Sequence, residues 1–291
     1  MAGRHCVLIV NPTSGSYSPH GIDAVMSALR QRGYSIELLL TGSAADAPLF
    51  ARRICAEEAE PLIIVGGGDG TINGVLNGLT PGRGTLGILP LGTANVLTWE
   101  LGIRSLEDAV HRIVRRETRH LAVGLIEAEG KRTYFTLMAG IGFDGAVVED
   151  VRLEEKKRLG KGAYLLAALR RLAAWDRELQ QIQVDGREMG CHSAVVCNGA
   201  RYGGNFVLAP AADILAPGFQ VVCIGSDRRR AYAKLAFDLV RGQGPRGGGI
   251  TTVPARIVEV PGTTAIQVDG DYWGHGPCRI TAVENFVKII V

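Results

Sequence analysis

The chain has 291 residues, 46% of them hydrophobic, which is enough to bury a large core and favours two domains over one. Thirty-two Lys plus Arg against 29 Asp plus Glu leave a net charge of +3, a balance without the signature of a nucleic-acid-binding surface. The six cysteines (Cys6, Cys55, Cys191, Cys197, Cys223, Cys278) show no C-x-x-C spacing and lie mostly in apolar runs, so a disulfide framework and a zinc site are set aside in favour of reduced core residues of a cytosolic protein.

In chain order, Met1 to His5 leads directly into an expected strand ending at Val10, which leaves no room for a signal peptide. Further strand-like runs at Ile36–Leu40, Leu62–Val65 and Leu86–Leu89 alternate with helical patterns. In the first helix Ile22, Val25, Met26 and Leu29 share a face. A later one opens on Ser105 and Asp108 as a capping box and carries Leu106, Ala109, Val110, Ile113 and Val114 as its apolar stripe. Repeated βα units predict a Rossmann-like α/β domain with a parallel sheet over residues 1–120.

After Arg119 the pattern turns to short alternating runs: Leu121–Glu127, Tyr134–Met138, Ile182–Val184, Ala194–Cys197, Gln220–Ile224, Ala255–Val260, Ala265–Val268 and Val287–Val291. Turn signals stand at Glu129-Gly130 and Asp185-Gly186, the latter a hairpin turn. This predicts an antiparallel β-rich second domain over 121–283, interrupted by helices near Gly162–Leu179 and Arg229–Arg241, with the strand at 284–291 returning to the first domain. "GQGPRGGG" (Gly242–Gly249) reads as a flexible loop. The most apolar helical stretch, Ala163–Trp175, is broken by Arg170 and Arg171, so no transmembrane span is expected.

The stretch "LIIVGGGDGTINGVLNGL" (Leu62–Leu79) poses a chemical question. A glycine-rich strand-to-helix turn aims backbone N–H groups at one spot, which suits a phosphate, yet Asp69 sits within it. A carboxylate there repels a phosphate unless a divalent cation lies between them. Mg²⁺, which is held by one or two carboxylates plus substrate phosphates, resolves the conflict. The turn lacks the Lys-Ser/Thr of a Walker A motif and does not complete G-x-G-x-x-G.

Other stretches carry weaker signals. In "VNPTSG" (Val10–Gly15), Asn11, Thr13 and Ser14 stand at a strand's carboxyl end, where a phosphate or ribose binds, or they form an ordinary turn. In "LPLGTANVL" (Leu89–Leu97), Thr93 and Asn95 bind a ligand or cap the next helix. In "VDGDYWG" (Val268–Gly274), Asp269 and Asp271 point to one side, suited to metal binding or to general-base work on a hydroxyl, or they belong to an Asp-Gly hairpin turn. "NGARYGGNFVLAPAADILAPG" (Asn198–Gly218) implies tight turns and polar cleft-lining side chains.

Taken together and in this order, "NPTSG", Thr41, "GGDGTIN" (Gly67–Asn73), "PLGTAN" (Pro90–Asn95), "AGIGFDG" (Ala139–Gly145), "GKGAY" (Gly160–Tyr164), "YGGNFVLAPAA" (Tyr202–Ala212) and "DGD" (Asp269–Asp271) resemble the diacylglycerol kinase catalytic-domain family. That family includes bacterial diacylglycerol and related lipid kinases and sphingosine kinases. The resemblance spans nearly the whole chain, and the set is specific, whereas GGDGT alone also occurs in NAD kinases and phosphofructokinases.

The resemblance implies an ATP- and Mg²⁺-dependent lipid kinase, active in phospholipid metabolism, with a β-sandwich second domain and a site in the cleft between domains. Motif matching implies ATP contacts from Asn11, Pro12, Thr13, Ser14, Gly15, Thr41, Gly67, Gly68, Asp69, Gly70, Thr71, Ile72, Asn73 and Thr93. Asp69 and Asp271 are implied for the metal. Asp269, Asp271 and Asp69 are implied for catalysis, with the division of labour between Asp269 and Asp271 open. The family motif there is Asp-Gly-Glu, and Asp271 is one methylene shorter.

A lipid substrate implies a cytoplasmic protein at the inner membrane surface. Tyr164, Leu165, Leu166, Leu169, Leu172 and Trp175, edged by Lys157, Arg158, Lys161, Arg170 and Arg171, suit a peripheral contact with anionic lipid, or else pack on the β-domain. Two departures stand out. Pro217-Gly218 replaces an acidic Asp-Gly pair, with Asp213 the nearby carboxylate, and Val96 replaces Asp after "GTAN". An NAD kinase-like soluble nucleotide kinase and a non-catalytic nucleotide- or lipid-binding relative stay open beside the lipid kinase.

Overall fold

The computed structural model describes residues 4–291 apart from 161, 176, 243, 246 and 248, and apart from the side chains of 153, 156 and 157. They form two units. Unit one is Met1–Val123, Ile214–Ala216 and Val283–Val291, and unit two is Gly124–Asp213 and Pro217–Ala282.

Unit one carries β1 (Arg4–Val10), α1 (Pro19–Gln31), β2 (Tyr34–Leu40), α2 (Asp46–Glu57), β3 (Leu62–Gly67), α3 (Asp69–Leu76), β4 (Thr85–Pro90), α4 (Val96–Glu100), α5 (Leu106–Arg115) and the first half of β5 (Thr118–Ala128). β1 pairs in parallel with β2 on one side and β3 on the other, and β3 pairs in parallel with β4. The chain's last strand adds alongside β4 through Lys288 and Ile289, also in parallel. β3 is buried along its whole length, as a strand covered on both faces requires. α1 starts where Ser18 Oγ accepts the Gly21 N–H at 3.0 Å, and it buries Ile22, Val25, Met26 and Leu29. α5 starts where Ser105 Oγ accepts the Asp108 N–H at 3.1 Å. The return bond of this box goes one residue earlier than a capping box places it, from Arg104 N–H to the Asp108 carboxylate at 3.0 Å.

Unit two continues β5 and adds β6 (Lys131–Phe135), β7 (Met138–Gly142), α6 (Phe143–Glu149), α7 (Leu153–Leu159), α8 (Gly162–Ala173), β8 (Gln180–Val184), β9 (Arg187–Cys191), β10 (Ser193–Cys197), β11 (Arg201–Tyr202) and β12 (Phe206–Val207). It closes with β13 (Phe219–Ile224), α9 (Arg229–Val240), β14 (Ile250–Ala255), β15 (Ile257–Val260), β16 (Ala265–Val268), β17 (Asp271–His275) and β18 (Cys278–Ile290), whose end passes into unit one. One antiparallel sheet runs β14-β13-β10-β7-β16-β17. Facing it, β5 pairs with β6, and β15 pairs with both β8 and β18. Ile126, Phe135, Ile182, Val258 and Ile280 from the second set pack with Ile141, Val196, Val221 and Ile266 from the first in one core, which makes a β-sandwich.

The run expected as one strand over Tyr134–Met138 is broken at Thr136-Leu137, because the backbone N–H groups there turn onto the Asp269 carboxylate. The run Ala255–Val260 breaks at Arg256, whose N–H goes to Asp185. The hairpin at Asp185-Gly186 has both residues at positive φ, 47° and 77°, and joins Val184 directly to its partner Arg187. The helix expected to reach Leu179 ends at Ala173. The loop expected at Gly242–Gly249 lies partly outside the described residues.

The sandwich core admits little change. Gly124 faces Phe135 in the β5/β6 pair, and a Cβ there would sit 2.0 Å from the Phe135 ring, itself stacked on Phe219 at 6.0 Å. Gly124→Ala is expected to destabilise unit two by about 1–3 kcal/mol, read as a lowered denaturation midpoint.

Candidate active site

The sheet order of unit one fixes where a ligand can lie. The chain leaves β1 for β2 on one side and then returns to β3 on the other, so the strand order reverses between β1 and β3. Crevices beyond the carboxyl ends of strands at such a reversal are the ligand sites of open parallel sheets. The loops after β1, β3 and β4 meet there. Asn11 donates its backbone N–H to Gly66 at 2.9 Å and its side-chain amide to Thr71 Oγ1 at 3.2 Å. Its Oδ1 accepts both the N–H and the hydroxyl of Thr13, at 2.9 and 2.8 Å, while Ser14 N–H closes on the Asn11 carbonyl at 3.2 Å.

Glycine lets these loops touch. A Cβ on Gly92 would lie 2.4 Å from Gly68 Cα, and one on Gly15 would lie 2.7 Å from Thr93 Oγ1. Thr41, at the end of β2, is buried and donates its N–H to Val10 at 2.9 Å. Thr13, Gly15, Gly70 and Thr93 are exposed, and Pro12, Ser14, Gly68, Asp69, Thr71 and Asn73 are half-buried. Gly67 is buried, and a Cβ there would meet Thr71 at 2.5 Å. Ile72 points into the core, so only its backbone faces outward, and Asn73 Oδ1 accepts from Asn77 at 3.2 Å.

Asp69 has immediate partners that its sequence position does not reveal. Its two carboxylate oxygens accept the backbone N–H groups of Val96 and Leu97, each at 3.0 Å. These are the first amides of α4, so Asp69 caps that helix and ties the turn after β3 to the loop after β4. The electrostatic conflict posed by a carboxylate in a phosphate-type turn is thus relieved in part by two N–H dipoles. Each oxygen keeps a second lone pair. Beside it, Asn95 turns through a left-handed conformation at φ 48° and donates to the Gly92 carbonyl at 2.7 Å. Its Oδ1 is buried with no hydrogen-bond partner among the described residues.

In unit two, Asp269-Gly270 forms a two-residue hairpin loop between β16 and β17, with φ values of 48° and 87°. The two aspartates of the stretch separate sharply. Asp269 Oδ2 accepts Thr136 N–H at 2.8 Å and Thr136 Oγ1–H at 3.0 Å, while Oδ1 accepts the N–H groups of Leu137 and Met138, both at 2.9 Å. A carboxylate offers about four lone-pair positions, and all of them are filled. Burial pushes this carboxyl up to about 6, against the downward pull of the four donors. Asp271, the first residue of β17, is exposed.

The same turn is held from behind. Tyr164, on α8, donates its hydroxyl to the Gly270 carbonyl at 2.9 Å. Leu165, Leu166 and Leu169 of that helix are exposed, the first at 65%. Two of the five basic residues expected beside them are engaged in ion pairs. Arg170 grips Glu155 with bonds of 2.8 to 3.0 Å, and Arg171 pairs with Asp150 and Glu149. Arg158 is exposed, while Lys161 and the side chain of Lys157 lie outside the described residues. Trp175 is no part of the apolar face: it stacks on His192 at 4.9 Å, packs against Phe143 and Tyr232, and donates its N–H to the Asp227 carbonyl.

Among the described residues no group of three or more His, Cys, Asp or Glu side chains forms a metal cluster. A Mg²⁺ that travels with nucleotide phosphates needs only one or two carboxylates and keeps several waters, and Asp69 in unit one and Asp271 in unit two each offer the donor type that such an ion takes. Pro217 is exposed and offers no ligand, and Asp213 is exposed at the passage from unit two into unit one. All six cysteines are buried, and no described helix is long and apolar enough to cross a membrane.

Comparison with known proteins gives the family and the fold. Residues 5–126 match the family model of the diacylglycerol kinase catalytic domain, and residues 136–291 match that of the YegS C-terminal NAD kinase beta sandwich-like domain. The chain is 28% identical over 296 residues to the diacylglycerol kinase of Bacillus subtilis (strain 168), covering 98% of this chain and 95% of that protein. It is 32% identical over 216 residues to a Chromohalobacter salexigens protein named "Probable lipid kinase YegS-like", covering 71% and 67%. A solved diacylglycerol kinase structure from Bacillus anthracis str. Sterne shares the fold at a TM-score of 0.78 and 24% identity, covering 100% of this chain and 98% of that one.

Proposed function

Since the chain belongs to the diacylglycerol kinase catalytic-domain family, with its accompanying C-terminal sandwich domain, we propose that it is a lipid kinase that transfers the γ-phosphate of ATP to a lipid hydroxyl. The single observation that carries the mechanism is the difference between Asp269 and Asp271. Asp269 has its lone pairs occupied and serves as architecture. Asp271, exposed at the end of the same rigid turn, is the general base that accepts the proton of the lipid hydroxyl.

Phosphoryl transfer asks mainly for positioning and for neutralisation of charge. The turn Gly67–Thr71 with the start of α3 is assigned to the ATP phosphates, and Asn11–Gly15, Thr41, Asn73 and Thr93 border the crevice in which the rest of the nucleotide lies. Asp69 holds the loops after β3 and β4 together, and its carboxylate would hold a Mg²⁺ that accompanies the nucleotide phosphates. When bound, Mg²⁺ supplies charge neutralisation on the phosphates.

The lipid face is assigned to α8. One side of this helix reaches the Gly270 turn through Tyr164, and the other exposes Leu165, Leu166 and Leu169. An apolar strip on the helix that buttresses the acceptor turn suits a peripheral contact that lets a lipid hydroxyl approach Asp271 without leaving the membrane surface. The test is ATP turnover with Mg²⁺ in the presence of micelles. Stimulation by micelles containing a lipid alcohol, with none by NAD in their absence, is expected, and stimulation by NAD alone would overturn the lipid assignment.

A further inference from the structure

Asp144, in the first turn of α6, is a buried carboxylate that the mechanism above does not use. Its hydrogen bonds come from neutral side chains. The Tyr202 hydroxyl donates to its Oδ1, and the Gln267 amide donates Nε2–H to its Oδ2 at 2.8 Å. Gln267 is itself 2% exposed, and its Oε1 accepts the Gly270 N–H at 2.8 Å. A directed chain of hydrogen bonds therefore runs from Gly270 through Gln267 to Asp144, every donor facing an acceptor.

The backbone around it is shaped to the same end. A Cβ on Gly140 would sit 1.6 Å from Asp144 Oδ2 and 2.8 Å from Gln267 Nε2, so only glycine leaves room for this pair. A buried carboxyl is costly unless its partners are in place. Burial raises the Asp144 carboxyl above its ordinary range, and its two donors pull it back down.

We propose that Asp144 is a positioning residue for the phosphoryl-acceptor turn: by fixing which end of the Gln267 amide faces Gly270, it sets the orientation of Asp269-Gly270 and so the placement of Asp271. This rests on the lipid-kinase reading for its consequence in catalysis, but not for the geometry itself. The amide has two ends, and the acceptor oxygen that Asp144 turns to Nε2 selects the end that leaves Oε1 for Gly270 N–H.

The polarity of the chain makes the test sharp. Gln267→Glu keeps an oxygen for the Gly270 N–H but turns its other oxygen onto Asp144 Oδ2, so two acceptors of like charge meet with no N–H between them. Adding Asp144→Asn restores every bond, because the introduced asparagine donates to that glutamate oxygen and accepts the Tyr202 hydroxyl while the other glutamate oxygen still accepts Gly270 N–H. Two readouts are taken: lipid phosphorylation kcat with the ATP KM, and hydrogen exchange of the peptide spanning 267–271.

Gln267→Glu is expected to lose about a hundredfold in kcat at nearly unchanged ATP KM, and to exchange faster over 267–271. The Asp144→Asn/Gln267→Glu protein is expected to recover to within about tenfold of wild-type kcat and to regain slow exchange. If Gln267→Glu alone does not fold, rescue is read as recovery of folding together with kcat in the double variant. A folded Gln267→Glu with wild-type kcat and exchange, or a double variant no better than Gln267→Glu, overturns the proposal. A wild-type protein inactive on lipid alcohols would sink the functional reading, while the exchange experiment would still decide the role of Asp144.

Discussion

Asp271→Asn is expected to reduce lipid phosphorylation by about 10²–10⁴-fold while leaving ATP binding and the denaturation midpoint near wild type. The side chain is exposed, so its replacement removes no core contact. Asparagine keeps the shape of the turn and lacks a group that accepts a full proton, which is why the loss falls on turnover. Asp269→Asn is expected to behave differently. An amide N–H₂ would face one of the N–H groups of Thr136, Leu137 or Met138, so the fold of the turn suffers and stability drops by about 1–3 kcal/mol. Steady-state turnover beside thermal denaturation of both variants checks the split. A stable Asp269→Asn protein without activity, next to an active Asp271→Asn protein, would exchange the two roles.

The second large effect is expected at Asp69. Asp69→Asn leaves one oxygen for the two amides of Val96 and Leu97, so one N–H at the start of α4 loses its acceptor and the loops after β3 and β4 lose part of their connection. Turnover should fall by about a hundredfold or more, since small misplacements of positioning groups carry penalties of that order. The Mg²⁺ concentration needed for half-maximal rate should rise as well, because the negative charge that would hold the ion is lost. Titration of the rate with Mg²⁺ at saturating ATP separates the two contributions. A lowered rate with an unchanged Mg²⁺ requirement would confine Asp69 to its capping role.

The parallel half of the molecule was legible because its signals are local. β-branched runs, capping residues and glycines lie next to each other in the chain, and the strands β1, β2, β3 and β4 fall where hydrophobic patterning puts them. The aspartates of the site were legible as residues but not as roles. What separates Asp269 from Asp271 is a set of donors more than 130 positions away, at Thr136, Leu137 and Met138. The partners of Asp69 lie 27 and 28 positions downstream in a helix of five residues, too short to show a period. Asp144 and Gln267 are separated by 123 positions, and each alone reads as an ordinary member of a strand or helix.

The surface of α8 shows the same dependence on distant partners. Counting charges predicts a basic edge, but Arg170 and Arg171 are engaged by Glu155, Asp150 and Glu149. Leu165, Leu166 and Leu169 stay exposed on the same helix. Surface ion pairs of this kind contribute little to stability, yet they reduce the charge that these two arginines could offer to anionic lipid.

The most direct measurement is transfer of radiolabelled γ-phosphate from ATP, with Mg²⁺, into a panel of lipid alcohols in mixed micelles, run beside NAD as a soluble acceptor. The account predicts label in at least one lipid, dependent on Asp271, and none in NAD. Label in NAD and in no lipid would contradict it and make the chain a soluble nucleotide kinase, and ATP binding without transfer to any acceptor would contradict it in favour of a non-catalytic binding protein.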